Sequence, residues 1–220
     1  MSSAPKRDYS GIPNPGRERT LARIKKALAT AKKADHTVER RPVFPPVGDD
    51  LLARFQAECK ANLTECVVCD GDVREKLAQV LAQVAAGEIF AEDTPPFREL
   101  LAGIDREVKW SSEGRVPECA QATITTAEAL IAQTGSVVVS SGHGGRGASV
   151  VAPVHIVIAK EKQLVTDISA ALQRVQAEHM PQKLSFVGLV TGCSRTGDIE
   201  KLLVIGAHGP KRVAVLIEKE

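Results

Sequence analysis

The segment 191–210, TGCSRTGDIEKLLVIGAHGP, brings a guanidinium, hydroxyls, carboxylates and an imidazole close together in the chain. It follows an apolar run, 184–190, that is typical of a buried strand, and ligands of open α/β sheets collect beyond the carboxyl ends of the strands. Arg195 is the best candidate for binding a carboxylate or phosphate, because a guanidinium can donate two parallel N–H bonds to such a group. The alternative is that Arg195 pairs with an acid of the same segment. We therefore predict a small-anion site that also includes Gly192, Ser194, Thr196, Asp198 and Gly209.

Two other side chains are candidates for proton transfer. His208 lies in a loop near these polar groups, where an imidazole could act as a general acid or base or donate to a ligand oxygen. Glu128 could also act as a base, but it has an alternative structural role as the third residue of a capping box. That box would begin at Thr125 and open a helix reaching Ala132. His155, inside the apolar run PVHIVI, is predicted to be structural.

A glycine-rich loop, 140–149, has the sequence SSGHGGRGAS between two predicted strands. Glycines let backbone N–H groups approach an anion closely, and Arg146 could add a bidentate clamp. The alternative is a mobile hairpin, because the loop lacks the lysine of a P-loop and does not open a predicted helix. The ligand-binding residues predicted in and before this loop are Thr134, Gly135, Ser141, Gly142, Gly144, Gly145 and Arg146.

The five cysteines favour a structural role over metal or redox chemistry. Cys66 and Cys69 form a C-x-x-C motif, but it lies inside an apolar run with no second pair at metal-ligand spacing, so both thiols should behave as small hydrophobes. An odd number of scattered cysteines is typical of a reducing cytoplasm. We expect no metal site and no cofactor in this chain, so any iron–sulfur cluster would be held by another protein.

Composition and patterning indicate a globular α/β protein. The chain has 220 residues, 43% of them hydrophobic, and a net charge of +2, so no global charge drives binding to nucleic acid or membrane. No apolar run is long enough for a transmembrane helix. The predicted organisation is a disordered arm over 1–15, an N-terminal helix within 16–38, a proline-rich linker over 39–48 and one α/β domain over 49–220.

Within that domain, short Val/Ile/Leu runs alternate with amphipathic helices. This alternation predicts a Rossmann-like, mostly parallel sheet with helices on both faces. The predicted strands are TECVVCD, GEIFAE, ATIT, GSVVVSS, APVHIVIA, LSFVGLV and RVAVLIE. The predicted helices begin at Asp49 or Asp50, at a capping box of Asp72 and Glu75, at Thr94, at Thr125 and at residue 165.

The segment GCSRTGDIEKLLVIGAHGP resembles the signature of the lactate-utilization (LUD) domain family, and AEALIAQTGSVVV and SVVAPVHIVI resemble two further family patterns. The likeness covers most of 16–218. It implies the fold shared with ribose-5-phosphate isomerase, glucosamine-phosphate deaminase and coenzyme A transferases. It also implies a cytoplasmic role in oxidising L-lactate to pyruvate, alongside an iron–sulfur LUD protein and a cysteine-rich lactate-utilization protein. The family motif corresponds here to Gly192, Ser194, Arg195, Thr196, Asp198, Glu200, Gly206, His208, Gly209 and Pro210.

One departure from the family pattern bears on function. Gln133 stands before Thr134-Gly135, where the family pattern implies an acid, which favours a binding subunit over a free-standing catalyst. Three hypotheses follow. The first is a subunit of an L-lactate utilization system that binds a small anion, and the second is a stand-alone enzyme acting on a phosphosugar or acyl-CoA. The third is a nucleotide-binding regulator that uses the glycine-rich loop.

Overall fold

The computed structural model describes residues 15–30, 46–179, 184–197 and 203–219. The chain divides into two units, Met1–Phe44 and Pro45–Glu220. The first unit contains helix α1, Pro15–Thr30, which starts with a proline, the residue favoured at the first helical position. All its side chains are exposed, including the apolar stripe Leu21, Ile24 and Leu28. Apart from Pro15 and residues 46–48, the predicted arm and linker lie outside the described residues.

The centre of the second unit is a six-stranded, wholly parallel sheet. Its strand order is β1-β12-β7-β4-β2-β3, and every neighbouring pair runs parallel. Such strands are buried on both faces, which explains their continuous apolar runs. The predicted fold class is confirmed. The strands are β1 Glu65–Cys69, β2 Ile89–Ala91, β3 Val108–Trp110, β4 Ala122–Thr125, β7 Val154–Lys160 and β12 Arg212–Glu218.

Helices α3, Val73–Ala82, and α4, Pro95–Leu100, cover one face of this sheet with a shared apolar cluster. The other face is covered by α2, Leu51–Ala61, which is capped as predicted by Asp50, whose carboxylate accepts a bond from Ala53 N at 2.8 Å. The capping box predicted at Asp72 is not formed, because its carboxylate accepts a bond from the preceding Asp70 N instead.

A second, four-stranded sheet lies beside α2 on that face. It contains β5 Ala129–Ile131, β6 Ser136–Ser140, β8 Leu164–Val165 and β9 Val187–Val190, in the order β8-β5-β6-β9. Helix α5, Ile168–His179, packs on its outer surface, as predicted for a helix near 165–178. The helix predicted over 125–132 is wrong. Short apolar runs fit a buried strand as well as a helix, and pairing with β6 and β8 decides for a strand.

The segment after β9 forms a short antiparallel hairpin of β10, Arg195–Gly197, and β11, Leu203–Ile205. The helical turn predicted at Asp198 lies outside the described residues. Within the described part of the chain, no helix combines the length and apolar character needed to cross a membrane.

The two cysteines of the C-x-x-C motif pack on opposite faces of β1, because their odd spacing in a strand points them apart. Cys66 contacts the α2 side and Cys69 the α3 side, and both thiols are free. Each side chain thus packs into the apolar cluster on its own side of the sheet.

Candidate functional site

The candidate site lies where the topology of the parallel sheet reverses. The chain leaves β2 for β3 on one side, and leaves β4 for β7 on the other, so the switch point falls between β2 and β4. Glu92 follows β2 and Thr126 follows β4. Thr126 donates its backbone N–H, at 3.0 Å, and its hydroxyl, at 2.9 Å, to Glu92 Oε2. This is the edge at which α/β folds place their ligands.

His143 from the glycine-rich loop enters this edge between two carboxylates. Its Nδ1 lies 3.0 Å from Glu92 Oε1 and 2.8 Å from Thr126 Oγ1. Its Nε2 lies 3.0 Å from Glu128 Oε1. The loop can approach because Gly144 has φ +80° and no side chain; a Cβ there would lie 3.2 Å from the Phe90 ring.

Glu128 connects this cluster to helix α5. It lies between β4 and β5, with its side chain only 3% exposed. Its Oε2 lies 2.7 Å from Nε2 of His179, the last residue of α5. Three sequence-distant elements therefore meet on one carboxylate.

The pKa values describe a charged array. Burial alone would raise the pKa of Glu128, but the neighbouring donors of His143, Ser140 and His179 outweigh it and hold that pKa at about 2. Burial would lower the pKa of His143, but Glu128 and Glu92 raise it to about 9. Burial also opposes ionisation of Glu92, yet contacts with His143 and Thr126 lower its pKa. At neutral pH the array is an imidazolium between two carboxylates.

His143 and Glu128 of this array line a pocket of about 630 Å³. Phe97, Ala127 and Ile158 give it an apolar wall, and Lys160 and Arg174 line it with cationic groups. Pockets that bind small molecules have this character, with few polar groups on a mainly apolar surface. The pocket thus combines cationic side chains with the ionised Glu128 carboxylate and with Glu178 and Glu218.

Comparison with known proteins assigns the family. A family model described as the LUD domain matches residues 117–217. A lactate utilization protein C from a Geobacillus species is 30% identical over 190 residues, covering 77% of this chain and 78% of that protein. The chain belongs to the LUD domain family. A lactate utilization protein C from Macrococcus caseolyticus is 29% identical over 182 residues, with 77% and 78% coverage.

A solved structure supports the fold of this LUD chain. The crystal structure of a DUF162 family protein from Deinococcus radiodurans aligns with a TM-score of 0.62 and 19% identity. The alignment covers 79% of this chain and 99% of that one. The LUD match spans Glu128, His143 and His179, whereas Glu92 precedes it.

The glycine-rich loop of the LUD chain also borders a second cavity, of about 810 Å³. Ser141, Gly142, Gly144, Gly145 and Arg146 line it, opposite the loop that carries Arg115. Arg146 donates to the Ser185 carbonyl at 3.2 Å. His143 therefore stands between two cavities, and the ligand-binding role of its glycine neighbours stays a prediction.

Thr134 and Gly135 lie at the other end of β6, against the last turn of α2. Asn62, which caps α2, donates to the Thr134 carbonyl at 2.8 Å. Gly135 has φ +63°, and a Cβ there would lie 2.8 Å from Cys59 N. Gly192, with φ +79°, lies so close to Asn62 that a Cβ would overlap the Asn62 carbonyl oxygen. Close packing is thus sufficient to explain both glycines.

The other described residues of the 191–210 segment lie at the amino edge of the parallel sheet. Ser194 N donates to the Pro210 carbonyl at 2.8 Å, and Lys211 N donates to the Pro153 carbonyl at 2.7 Å, just before β12 and β7 begin. Gly209 packs against the Ser194 side chain. Arg195 and His208 are exposed, Thr196 is half-buried, and Asp198 lies outside the described residues.

The sequence analysis expected residues 134–147 and 192–210 to form one site. The structure brings Thr134 and Gly135 to the start of the second segment, but it leaves the glycine-rich loop beyond the far end of β6. Five strand residues span roughly 13 Å. Arg195 and His208 therefore lie at the opposite edge of the sheet from His143. Their ligand-binding and catalytic roles stay predictions.

Sequence reasoning missed Glu92, His143 and His179 and included Glu128 as the minor of two interpretations. Two signals were available: Glu92 is the last residue of the predicted strand GEIFAE, and His143 is the polar residue at the centre of the glycine-rich loop. No sequence signal marked His179, because only the packing of α5 on the second sheet brings it to Glu128.

Proposed function

We propose that the chain acts in the cytoplasm as one subunit of an L-lactate utilization system, and that its pocket at the carboxyl edge binds the small anionic ligand. The relatives that carry the name lactate utilization protein C support the process. The five free thiols fit a reducing compartment. The observation that carries the choice of site is the ion-paired array of Glu92, His143 and Glu128 at the sheet's switch point, of which His143 and Glu128 line the pocket.

The chemistry of lactate fits this pocket. L-Lactate has one carboxylate and one hydroxyl. Lys160 and Arg174 offer positive charge to the carboxylate, and the ionised Glu128 offers an acceptor to the hydroxyl proton. Both ring nitrogens of His143 are directed at glutamates, so His143 positions Glu128 and balances its charge. Oxidation to pyruvate also removes two electrons and two protons, one proton from the hydroxyl and one from C2. The iron–sulfur clusters of the partners, an iron–sulfur LUD protein and a cysteine-rich protein, would accept the two electrons.

The test is anaerobic L-lactate oxidation, measured as pyruvate formed with an artificial electron acceptor. The chain alone, the candidate iron–sulfur partners alone and the full mixture are compared. We expect activity in the full mixture only. Replacing Glu128 by Gln should lower it by roughly 10²-fold or more, the scale expected for a proton-transfer group. Glu75→Gln is the matched control, because it makes the same carboxylate-to-amide change at an exposed position of α3.

Two results would contradict the proposal. Equal activity of the partners with and without the chain would remove the subunit role. Loss of activity with Arg195→Ala but not with Glu128→Gln or His143→Gln would move the ligand to the opposite edge of the sheet, to the segment identified from sequence.

A second candidate is a stand-alone enzyme of the isomerase or acyl-transfer type. The observation favouring it is the buried, ionised Glu128 facing the pocket with a histidine on each side, which could serve as a base or nucleophile. Turnover of a phosphosugar or an acyl-CoA by the pure chain, lost in Glu128→Gln, would support this candidate. Absence of such turnover would exclude it for the compounds tried.

A further inference from the structure

We propose that Glu128, Glu178 and His179 form a binding site for one divalent first-row transition-metal ion. No metal site was predicted from the sequence, where the cysteine pattern gave none. Glu178 and His179 are adjacent in the chain and Glu128 is distant from both, but the fold brings the three together, since α5 ends beside the segment joining β4 to β5.

The ligand atoms are close enough to share one ion. One atom from each of the three residues lies within 4.8 Å of the other two. The closest pair, Glu128 Oε2 and His179 Nε2, is 2.7 Å apart. An ion about 2.0–2.2 Å from each atom needs a slightly larger separation. It would therefore replace the hydrogen bond between them and require only a small side-chain rotation.

The Glu128 carboxylate has one oxygen without an aligned hydrogen bond. The residue is 97% buried, since only 3% of it is exposed. Its Oε1 makes an ion-pair contact with His143 Nε2 at 3.0 Å, but within the described residues no donor is aligned to form a hydrogen bond with it. Buried carboxylate oxygens almost always have a hydrogen-bond partner or a bound ion. An ion that reaches Glu128 from the pocket and is bound by both carboxylate oxygens would give Oε1 a further partner.

The ligand set selects the class of metal. One imidazole with two carboxylates favours zinc-like transition ions over Mg²⁺ and Ca²⁺, which prefer oxygen ligands alone. Three protein ligands leave coordination positions open toward the pocket, as in catalytic zinc sites. Glu178 also contacts Arg174 Nε at 3.0 Å, but its side chain is 47% exposed, and an exposed pair of this kind gives way readily.

This inference does not rest on the proposed function, because metal binding is measured without lactate. If both hold, the carboxylate and hydroxyl of a 2-hydroxy acid are the groups that the open positions would accept.

The experiment uses the untagged full chain, freed of metal with a chelator, and titrates it with Zn²⁺ by calorimetry and with Co²⁺ by visible absorption. We expect one ion per chain. His179→Gln and Glu178→Gln should each weaken binding by more than ~10-fold, the lower limit for losing even an outer partner of a metal ligand. Glu75→Gln should bind as the parent does. Because Glu178 is exposed, Glu178→Gln should fold as the parent does, and circular dichroism checks this.

Three results would overturn the proposal. The first is absence of saturable binding. The second is binding that both pocket variants leave unchanged. The third is a thiolate-to-cobalt charge-transfer band, which would assign the ion to a cysteine. Lactate oxidation that persists in a metal-free mixture would not change the outcome of the metal titration. The titration therefore tests the metal site, and the activity assay tests the proposed function, independently of each other.

Discussion

Replacing Gly192 by alanine should destabilise the second unit through two separable effects. The first is backbone conformation, since φ is +79° and an L-residue in the left-handed region costs ~1–2 kcal/mol. The stiffer unfolded chain offsets ~0.4–1 kcal/mol of that cost. The second is overlap of the new methyl with the Asn62 carbonyl oxygen, with Asn62 C at 3.2 Å. Overpacking against a backbone that cannot rotate away costs ~1–3 kcal/mol. The expected loss is about 2–4 kcal/mol.

Gly71 is the matched control for this change. Its φ is also +79°, but a Cβ there meets nothing within 4 Å, so Gly71→Ala should carry only the conformational cost, about 1 kcal/mol or less. Urea unfolding followed by circular dichroism gives both free energies of unfolding. Equal losses for the two variants would refute the close approach of residue 192 to the end of α2, and would reopen a ligand-binding reason for this glycine.

Three further predictions concern the core and the helix ends. Burial lowers the pKa of His155 to about 4 from its ordinary 6.5. As the pH falls, His155 is therefore protonated in the unfolded chain before it is protonated in the folded one. Stability should therefore be complete above pH 6.5 and fall by about 3 kcal/mol toward pH 4, and His155→Gln should flatten that part of an acid-unfolding curve. Arg106 donates to the carbonyls of Leu81, Val84 and Ala85 at the end of α3, so Arg106→Lys should cost ~1–3 kcal/mol by urea unfolding. Phe55→Ala, at a side chain that is 0% exposed, should cost ~3–5 kcal/mol in the same assay, and a loss below 1 kcal/mol would contradict its place in the core.

The apolar runs of the sequence were sufficient to predict the parallel sheet. Strands buried on both faces must be continuously apolar, and TECVVCD, APVHIVIA and RVAVLIE all proved to be strands of this sheet, the latter two in its interior and the first at one edge. The start of α2 was also predictable, because the Asp50 cap is a local interaction of one side chain with its own helix end. The burial of His155 followed from its apolar neighbours.

The error at 125–132 shows where local patterns stop being informative. Thr125 and Glu128 have the spacing of a capping box, yet Ala129–Ile131 form a strand whose partners lie at least five residues away in β6 and more than thirty residues away in β8. The same error made Glu128 a helix cap, when it is a buried carboxylate held by two histidines. When a strand is stabilised by pairing with other segments, its own short sequence need not show the hydrophobic periodicity of a strand.

The sequence by itself determined the family, the parallel sheet and the chemical types available for a site. It did so because apolar runs and family motifs are patterns of consecutive residues. The tertiary structure decided which of those groups meet. Glu92, His143, Glu128 and His179 come from four separate parts of the chain, and only strand order and the packing of α5 place them in one cluster. Ser194, Arg195 and Pro210, although close to one another in the segment 191–210, lie at the opposite edge of the parallel sheet, because proximity along the chain does not decide which end of a strand a segment occupies.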